Sequence, residues 1–256
     1  MVYAPVARRG DVPGHALDVL TRWEPIARVA DTLENGSTRQ RADQLLSLFG
    51  RWSFPTSGFE LWGEWARMEL PRSLRDWLVA PQHTQGWLLG LQGVRRAGDG
   101  HLRAQGELAY LEQSTTFADR PPPDFYTSRA SAQGWTQRGQ TLGSATGPGS
   151  SSQFLAVDWL RRDAQAGLFA GRVRWENDAM YRQPTPYYLK HDVTVFGGLR
   201  GGGRTPWADA FVELSVGNRL NYLFKNGTLA PRGYRTVDIH NVSLAVTLSP
   251  PTARGR

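Results

Sequence analysis

Between residues 115 and 152 the chain concentrates side chains suited to holding a hydrated polymer. The segment reads Gln133-Gly134-Trp135-Thr136-Gln137-Arg138-Gly139-Gln140, then Leu142-Gly143, then Gly147-Pro148-Gly149-Ser150-Ser151-Ser152-Gln153. Glycines at this density let backbone amides approach a ligand closely. Gln137, Arg138 and Gln140 supply directional hydrogen bonds, Trp135 offers a flat face for a sugar ring, and Tyr126 of the same segment is counted with them. A second candidate group, Arg75, Asp76 and Trp77 followed by His83, can either bind sugar or brace its own loop through an Arg75–Asp76 pair. The residues of 115–152 equally suit a loop folded inward whose polar groups satisfy one another. Both readings stand on the sequence alone.

Other chemistry is thin. The five histidines, His15, His83, His101, His191 and His240, lack metal-ligand spacing. No G-x-S-x-G elbow occurs. Gly197–Gly203 is followed by no helix and is read as a turn rather than a phosphate cradle. Glu60, Glu64, Glu107, Asp158, Glu176 and Glu213 fall on the polar faces of strand-like segments, where a wall position is the default for a carboxylate. The expectation is a binding protein rather than an enzyme, with no metal and no cofactor.

The elements that must carry these loops are β-strands. Alternation with period two marks nine of them: 45–54, 58–69, 85–96, a fourth with Leu102, Ala104, Gly106, Leu108 and Tyr110 on one face, 153–162, a sixth with Phe169, Gly171, Val173 and Trp175 opposite Arg172, Arg174 and Glu176, a seventh with Val193, Val195 and Leu199 opposite Asp192, Thr194 and Arg200, an eighth with Ala210, Val212, Leu214 and Val216 opposite Asp209, Glu213, Ser215 and Arg219, and 236–249. The connections alternate in length. Short ones fall at Pro55–Gly58, Ala97–Gly100, Asp163–Ala166 and Gly201–Pro206, and long ones near 70–84, 115–152, 179–190 and 224–235.

Such a pattern fits a soluble sandwich with its apolar face inside, or a membrane barrel with that face in lipid and the polar face on a wet lumen. Three features favour the barrel. Several strands exceed the ~9–11 residues that cross a bilayer at a tilt. Trp52, Phe54, Phe59, Trp87, Tyr110, Trp207 and Tyr222 gather toward strand ends, as in an interfacial girdle. Short turns on one side and long loops on the other are the rhythm of outer-membrane barrels. The expected fold class is therefore all-β, an antiparallel transmembrane β-barrel. Its domains would be an irregular external segment with a short helix at 1–44, barrel strands at 45–250 and a basic tail at 251–256. Nine is odd, whereas single-chain bacterial barrels have even strand numbers, so the chain is expected to supply part of a larger barrel. Leu17–Val29 could add a tenth strand, but Leu17, Leu20, Trp23 and Ala27 recur at helical spacing and Pro25 interrupts a ladder.

Composition agrees. The chain has 28 glycines, ten tryptophans and no cysteine, and no run approaches the ~18 apolar residues of a spanning helix. The net charge is +7, nearly all from arginine, since Lys190 and Lys225 are the only lysines. The arginines are scattered, which argues against nucleic acid; an anionic lipid or acidic polymer suits the charge. Met1–Pro5 leads to Arg8 and Arg9 with no apolar core, so no signal peptide is read in this sequence.

The loop motif also carries a family likeness. GWTQRGQTLG…GPGSSSQ resembles the GYTHRGQ…LG…GPGSxSQ signature of the Wzi-type capsule-assembly outer-membrane proteins, and SLFGRWSFPTSGFELWGEWARME with the following SLRDWLVAPQHTQGWLLGLQ resembles its upstream strands and LRD loop. The likeness covers roughly 40–250. It implies an eighteen-stranded barrel, this chain being its C-terminal half and lacking the N-terminal half. It also implies non-catalytic retention of capsular polysaccharide at the surface of a Gram-negative-type bacterium. Gln137 stands where the family usually has histidine, Ser128 is a candidate for a second such replacement, and the end Leu248-Ser249-Pro250-Pro251 lacks the usual terminal aromatic. The leading expectation is thus an outer-membrane polysaccharide-binding protein with capsular or other acidic glycan and outer-membrane lipid as partners. The rival is a porin-like channel with Arg103, Arg172, Arg174 and Arg219 on its wall. An outer-membrane hydrolase is a third possibility.

Overall fold

The computed structural model describes residues 2–5, 30–32, 38–40, 42–68, 71, 73–113, 125–127, 133–182, 190–224, 226–230 and 233–250. Nine long strands follow one another: β1 (Ala42–Phe54), β2 (Phe59–Arg67), β3 (Gln85–Ala97), β4 (Gly100–Tyr110), β5 (Ser151–Leu160), β6 (Ala164–Trp175), β7 (Asp192–Arg204), β8 (Asp209–Leu220) and β9 (Ile239–Ser249). Each pairs antiparallel with the next in chain order. Val2–Pro5 adds a short tenth strand by pairing with Ala42–Leu45, so the region before residue 45 is not wholly irregular. The suggested tenth strand at 17–29 lies outside the described residues. Among the described residues the sheet is open: β1 and β9 do not pair with one another.

The tight links have local causes. Gly58 has φ +63°, and a Cβ there would meet the Val94 carbonyl oxygen at 2.4 Å, which leaves room for Val94 to donate its amide to Gly58 at 2.7 Å. Between β3 and β4 a two-residue loop turns on Gly98, φ +60°, as expected where only glycine takes the first central position without strain. The third link falls at 161–163, where the Arg161 amide donates to the Ala164 carbonyl at 2.8 Å. The fourth is later than the sequence suggests. Gly201–Arg204 continue the ladder opposite Asp209–Val212, and the reversal occurs at Thr205, whose amide and hydroxyl both donate to the Ala208 carbonyl.

Because directly paired residues share a face, the registers sort every strand residue onto two surfaces. One, the apolar face, carries Leu48, Trp52, Leu61, Leu89, Leu91, Leu102, Leu108, Leu155, Leu168, Leu199, Leu214, Val242 and Leu244. All of these are exposed, and among the described strand residues Phe49 is the single large apolar side chain exposed on the other face. No Asp or Glu of the nine strands lies on the apolar face. Its arginines stand only toward the ends: Arg95 near the short turns, and Arg67, Arg172 and Arg174 near the long loops.

The opposite, polar face holds the charges together. Asp158, with 5% of its side chain exposed, takes a bifurcated pair of hydrogen bonds from Arg103 (2.9 and 3.2 Å) and is bridged by Arg200 (2.7 and 2.8 Å), which reaches it across β6. Gly167 lies beneath that carboxylate; a Cβ there would meet Oδ1 at 2.1 Å. Arg51 and Ser53 hold Glu60, the Ser47 hydroxyl donates to Glu64, and Trp62 donates its indole N–H to Glu107 at 3.3 Å across Gly90.

Two expectations need correction here. In β6 the residues Phe169, Gly171, Val173 and Trp175 lie on the polar face, while Arg172 and Arg174 lie on the apolar one with Leu168. This strand has apolar side chains on both sides, and Phe169 is buried against Phe154 and Phe196 beside Arg200. Side-chain size therefore pointed to the wrong surface. Glu176 lies just past the strand rather than on its polar face.

Candidate functional site

At the end of the sheet away from the short turns, the described parts of three long connections are held by packing and by polar bonds. A small core of Met68, Leu111 and Phe125 anchors them, with Tyr126 and Trp135 packed against it. Gly86 sits under this core, where a Cβ would meet Leu111 at 2.6 Å and the Phe125 ring at 2.8 Å. From it projects a two-stranded ribbon, Thr136–Gln137 against Gln140–Thr141. Arg138 (φ +51°) and Gly139 (φ +79°) make its tip.

The sequence candidates divide between two elements. Tyr126, Trp135, Gln137, Arg138 and Gln140 form one unit. The Trp135 amide donates to the Tyr126 carbonyl at 2.8 Å, and the Ser144 amide donates to the Tyr126 hydroxyl at 3.0 Å. The Tyr126 ring lies so close over Gly143 that a Cβ there would meet it at 2.1 Å. Burial raises the Tyr126 phenol above its ordinary value. Trp135 is half-buried, with its indole nitrogen enclosed and unpartnered among the described residues, so its ring face is largely used in packing. Gln137, Arg138 and Gln140 are exposed. Arg75 and Asp76 belong to α1 (Leu74–Val79), whose N-terminus Ser73 caps by accepting from the Asp76 amide at 3.1 Å. Arg75 is exposed and, like Arg138, has no ion pair or hydrogen bond among the described residues. Along α1, Leu74, Trp77 and Leu78 form an exposed apolar stripe.

Beside the ribbon lies a polar network that motif reading missed. Arg174 donates to both oxygens of buried Glu112, at 2.7 and 2.6 Å, and the Asn177 amide joins the same carboxylate at 2.8 Å. Asn177 opens α2 (Asn177–Arg182), bonds the His191 ring through its carbonyl oxygen, and donates its backbone N–H to Gly149 at 2.7 Å. Gly149 has φ +63° and packs against Asp178, which accepts from the Gln113 amide at 2.7 Å. Next to this, Asp192 accepts two bonds from Arg219 and one from the Leu223 amide. Arg219 is held between the Trp175 and Tyr222 rings, 4.9 and 4.7 Å from their centroids. Asn221, Leu223 and Phe224 take positive φ values of 57°, 51° and 54°, a strained run that the Asp192 bond to Leu223 helps fix. The partners are up to 65 residues apart, and no local spacing announces them.

The carboxylates of this network brace the loops to the sheet. Glu112 and Asp192 are neutralised by arginine, as Asp158 is within the sheet. Of the four arginines expected on the channel wall, Arg103 and Arg219 are on the polar face but ion-paired, while Arg172 and Arg174 are on the apolar one. Among the described residues no group of three or more His, Asp or Glu converges as for a metal ion.

His191 gives this region a pH dependence. Burial holds its imidazole below the ordinary 6.5, and the Arg174 guanidinium adds to that depression. The unfolded chain therefore binds more protons just below the ordinary value, and stability falls as pH drops from there through the lowered folded value. Thermal unfolding of the full chain between about pH 8 and about pH 5 should show a smaller acid loss for His191→Gln than for the parent. Equal acid slopes would contradict this assignment.

Comparison with protein-family models, with curated proteins and with solved structures returned no match for this chain.

Proposed function

We propose that this chain forms part of an outer-membrane β-barrel whose external loops hold an acidic surface polysaccharide, without catalysing its conversion. The observation that carries this reading is the exposed apolar face. Monomeric soluble proteins rarely expose continuous apolar patches beyond a few hundred Å², yet here exposed leucine and valine side chains run across one face of the nine strands, and that face is free of carboxylates. In hydrocarbon that surface is satisfied. Arg95 stands exposed at its short-turn end, where a long side chain reaches the headgroups, while Arg67 and Arg174 at the other end turn to the Pro81 carbonyl and to Glu112. Rows of aromatics mark the same ends: Trp65, Trp87 and Tyr110 are paired side by side below the long loops, and Trp52, Phe54, Phe59 and Trp159 stand near the short turns. From Leu102, the neighbour of Trp159, to Tyr110 is about 26 Å of strand, which a ~40° tilt reduces to roughly 20 Å, close to the ~25 Å apolar band of such barrels. The edge of β9 and the part of the β1 edge beyond its pairing with Val2–Pro5 are where further strands of a larger barrel would join, since unpaired backbone in lipid costs several kcal/mol per group.

The polysaccharide reading rests on the family likeness of the ribbon and on the exposed, unpaired Arg75 and Arg138, with Gln137 and Gln140 beside the latter. Tyr126 and Trp135 then serve by positioning the ribbon on the core. In a glycan pull-down with acidic capsular polysaccharide, Arg75→Ala with Arg138→Ala should reduce retention by about tenfold or more, a loss expected of two charge-assisted contacts. Retention equal to the parent's would refute the loop assignment.

A further inference from the structure

Resting on that membrane reading, we infer that the apolar face carries a defined site for an anionic phospholipid, its acyl chain lying in a groove over β1–β5 and its phosphate at Arg95. The groove has a volume of about 1120 Å³. Its walls include Trp52, Leu89, Leu155 and Val157, and its floor includes Gly50 and Gly106. Gly50 is open above, since a Cβ there would meet nothing within 4 Å. The depression thus arises from missing side chains in a surface otherwise covered by leucine.

Charge selects the occupant. The groove reaches Ala104 and Val157, which share a cross-strand row with Gly93. The next row toward the short turns is Arg95, Leu102 and Trp159. Arg95 is exposed, lies on the apolar face, and has no ion pair or hydrogen bond among the described residues. With no carboxylate on this face to neutralise it, a cation stands at the headgroup end of an acyl-sized trough. A phosphodiester with a net negative charge matches both parts, and Arg can meet its oxygens bidentately. A second copy of the chain would bring the same unpaired Arg95 and no acidic partner to this surface.

The test uses the full chain reconstituted in vesicles, with tryptophan fluorescence quenched by phospholipids brominated on their acyl chains. Brominated phosphatidylglycerol should quench more strongly than brominated phosphatidylcholine at equal content. Arg95→Ala should reduce that preference about fivefold, the factor one arginine's attraction to an anionic surface is worth, and Arg95→Lys should retain much of it. Gly50→Leu, whose Cβ would meet nothing within 4 Å and whose side chain would project into the groove, should weaken quenching by both lipids. Flotation of the same samples separates the failures. A chain that floats but shows no Arg95-dependent preference overturns the lipid site alone. A chain that does not float overturns the membrane reading and the site with it. Crosslinks from Leu89 or Leu155 to a second copy would assign the groove to self-association and overturn the lipid site.

Discussion

Leu214→Arg should destabilise the folded chain in lipid by about 2–4 kcal/mol, the cost of an arginine near the bilayer midplane on the lipid side of a barrel. Leu214 lies in one cross-strand row with Leu199 and Leu244, midway along β8. It is 43% exposed, so in a water-soluble sheet the same change would be nearly neutral. Ser243→Arg is the matched control. Ser243 is exposed on the polar face of β9, one residue from Leu244, and arginine there should be tolerated. Urea unfolding of both variants in vesicles gives the comparison. Equal, small effects would show that the two faces meet the same solvent.

The second large effect is expected at Asp158. Its carboxylate balances two guanidinium groups, Arg103 and Arg200, whose side chains are 33% and 20% exposed. Asp158→Ala leaves both without their counter-charge, and breaking such a pair from one side costs about 3–5 kcal/mol when fully buried. Partial exposure of the arginines places the expected loss near the lower end. Arg51→Ala breaks the Glu60 pair, in which Arg51 is 69% exposed, and should cost far less, because solvent screens such a pair. A similar loss for the two variants would mean that the polar wall is solvated evenly and that Asp158 braces nothing.

These contrasts also explain what could be read from the residues alone. All nine long strands and the alternation of short and long links were legible, because a surface that is apolar on one side and charged on the other imposes period two over the whole strand. β6 was the exception in its facing: Phe169 and Val173 are buried on the polar side, while Ala166, Leu168 and Ala170 supply the apolar stripe with smaller side chains. The ribbon residues Gln137, Arg138 and Gln140 were found because they are contiguous. The Glu112–Arg174–Asn177–His191 network was not, because Glu112 follows β4, Arg174 ends β6, and Asn177 and His191 stand at opposite ends of the next connection, so they meet only through the fold. The aromatic clamp on Arg219 was hidden for the same reason, since Trp175 and Tyr222 flank it from different segments.

The central claim is that the leucine- and valine-rich side of the sheet meets hydrocarbon and its reverse meets water. The absence of native cysteine allows single cysteines to be placed one at a time from 212 to 217 on β8 and labelled with an environment-sensitive fluorophore in vesicles. The account predicts a strict alternation, with 212, 214 and 216 reporting an apolar surround quenched by lipid-borne quenchers and 213, 215 and 217 reporting water. Labels at 212, 214 and 216 that report water, or an alternation of the opposite phase, would contradict it.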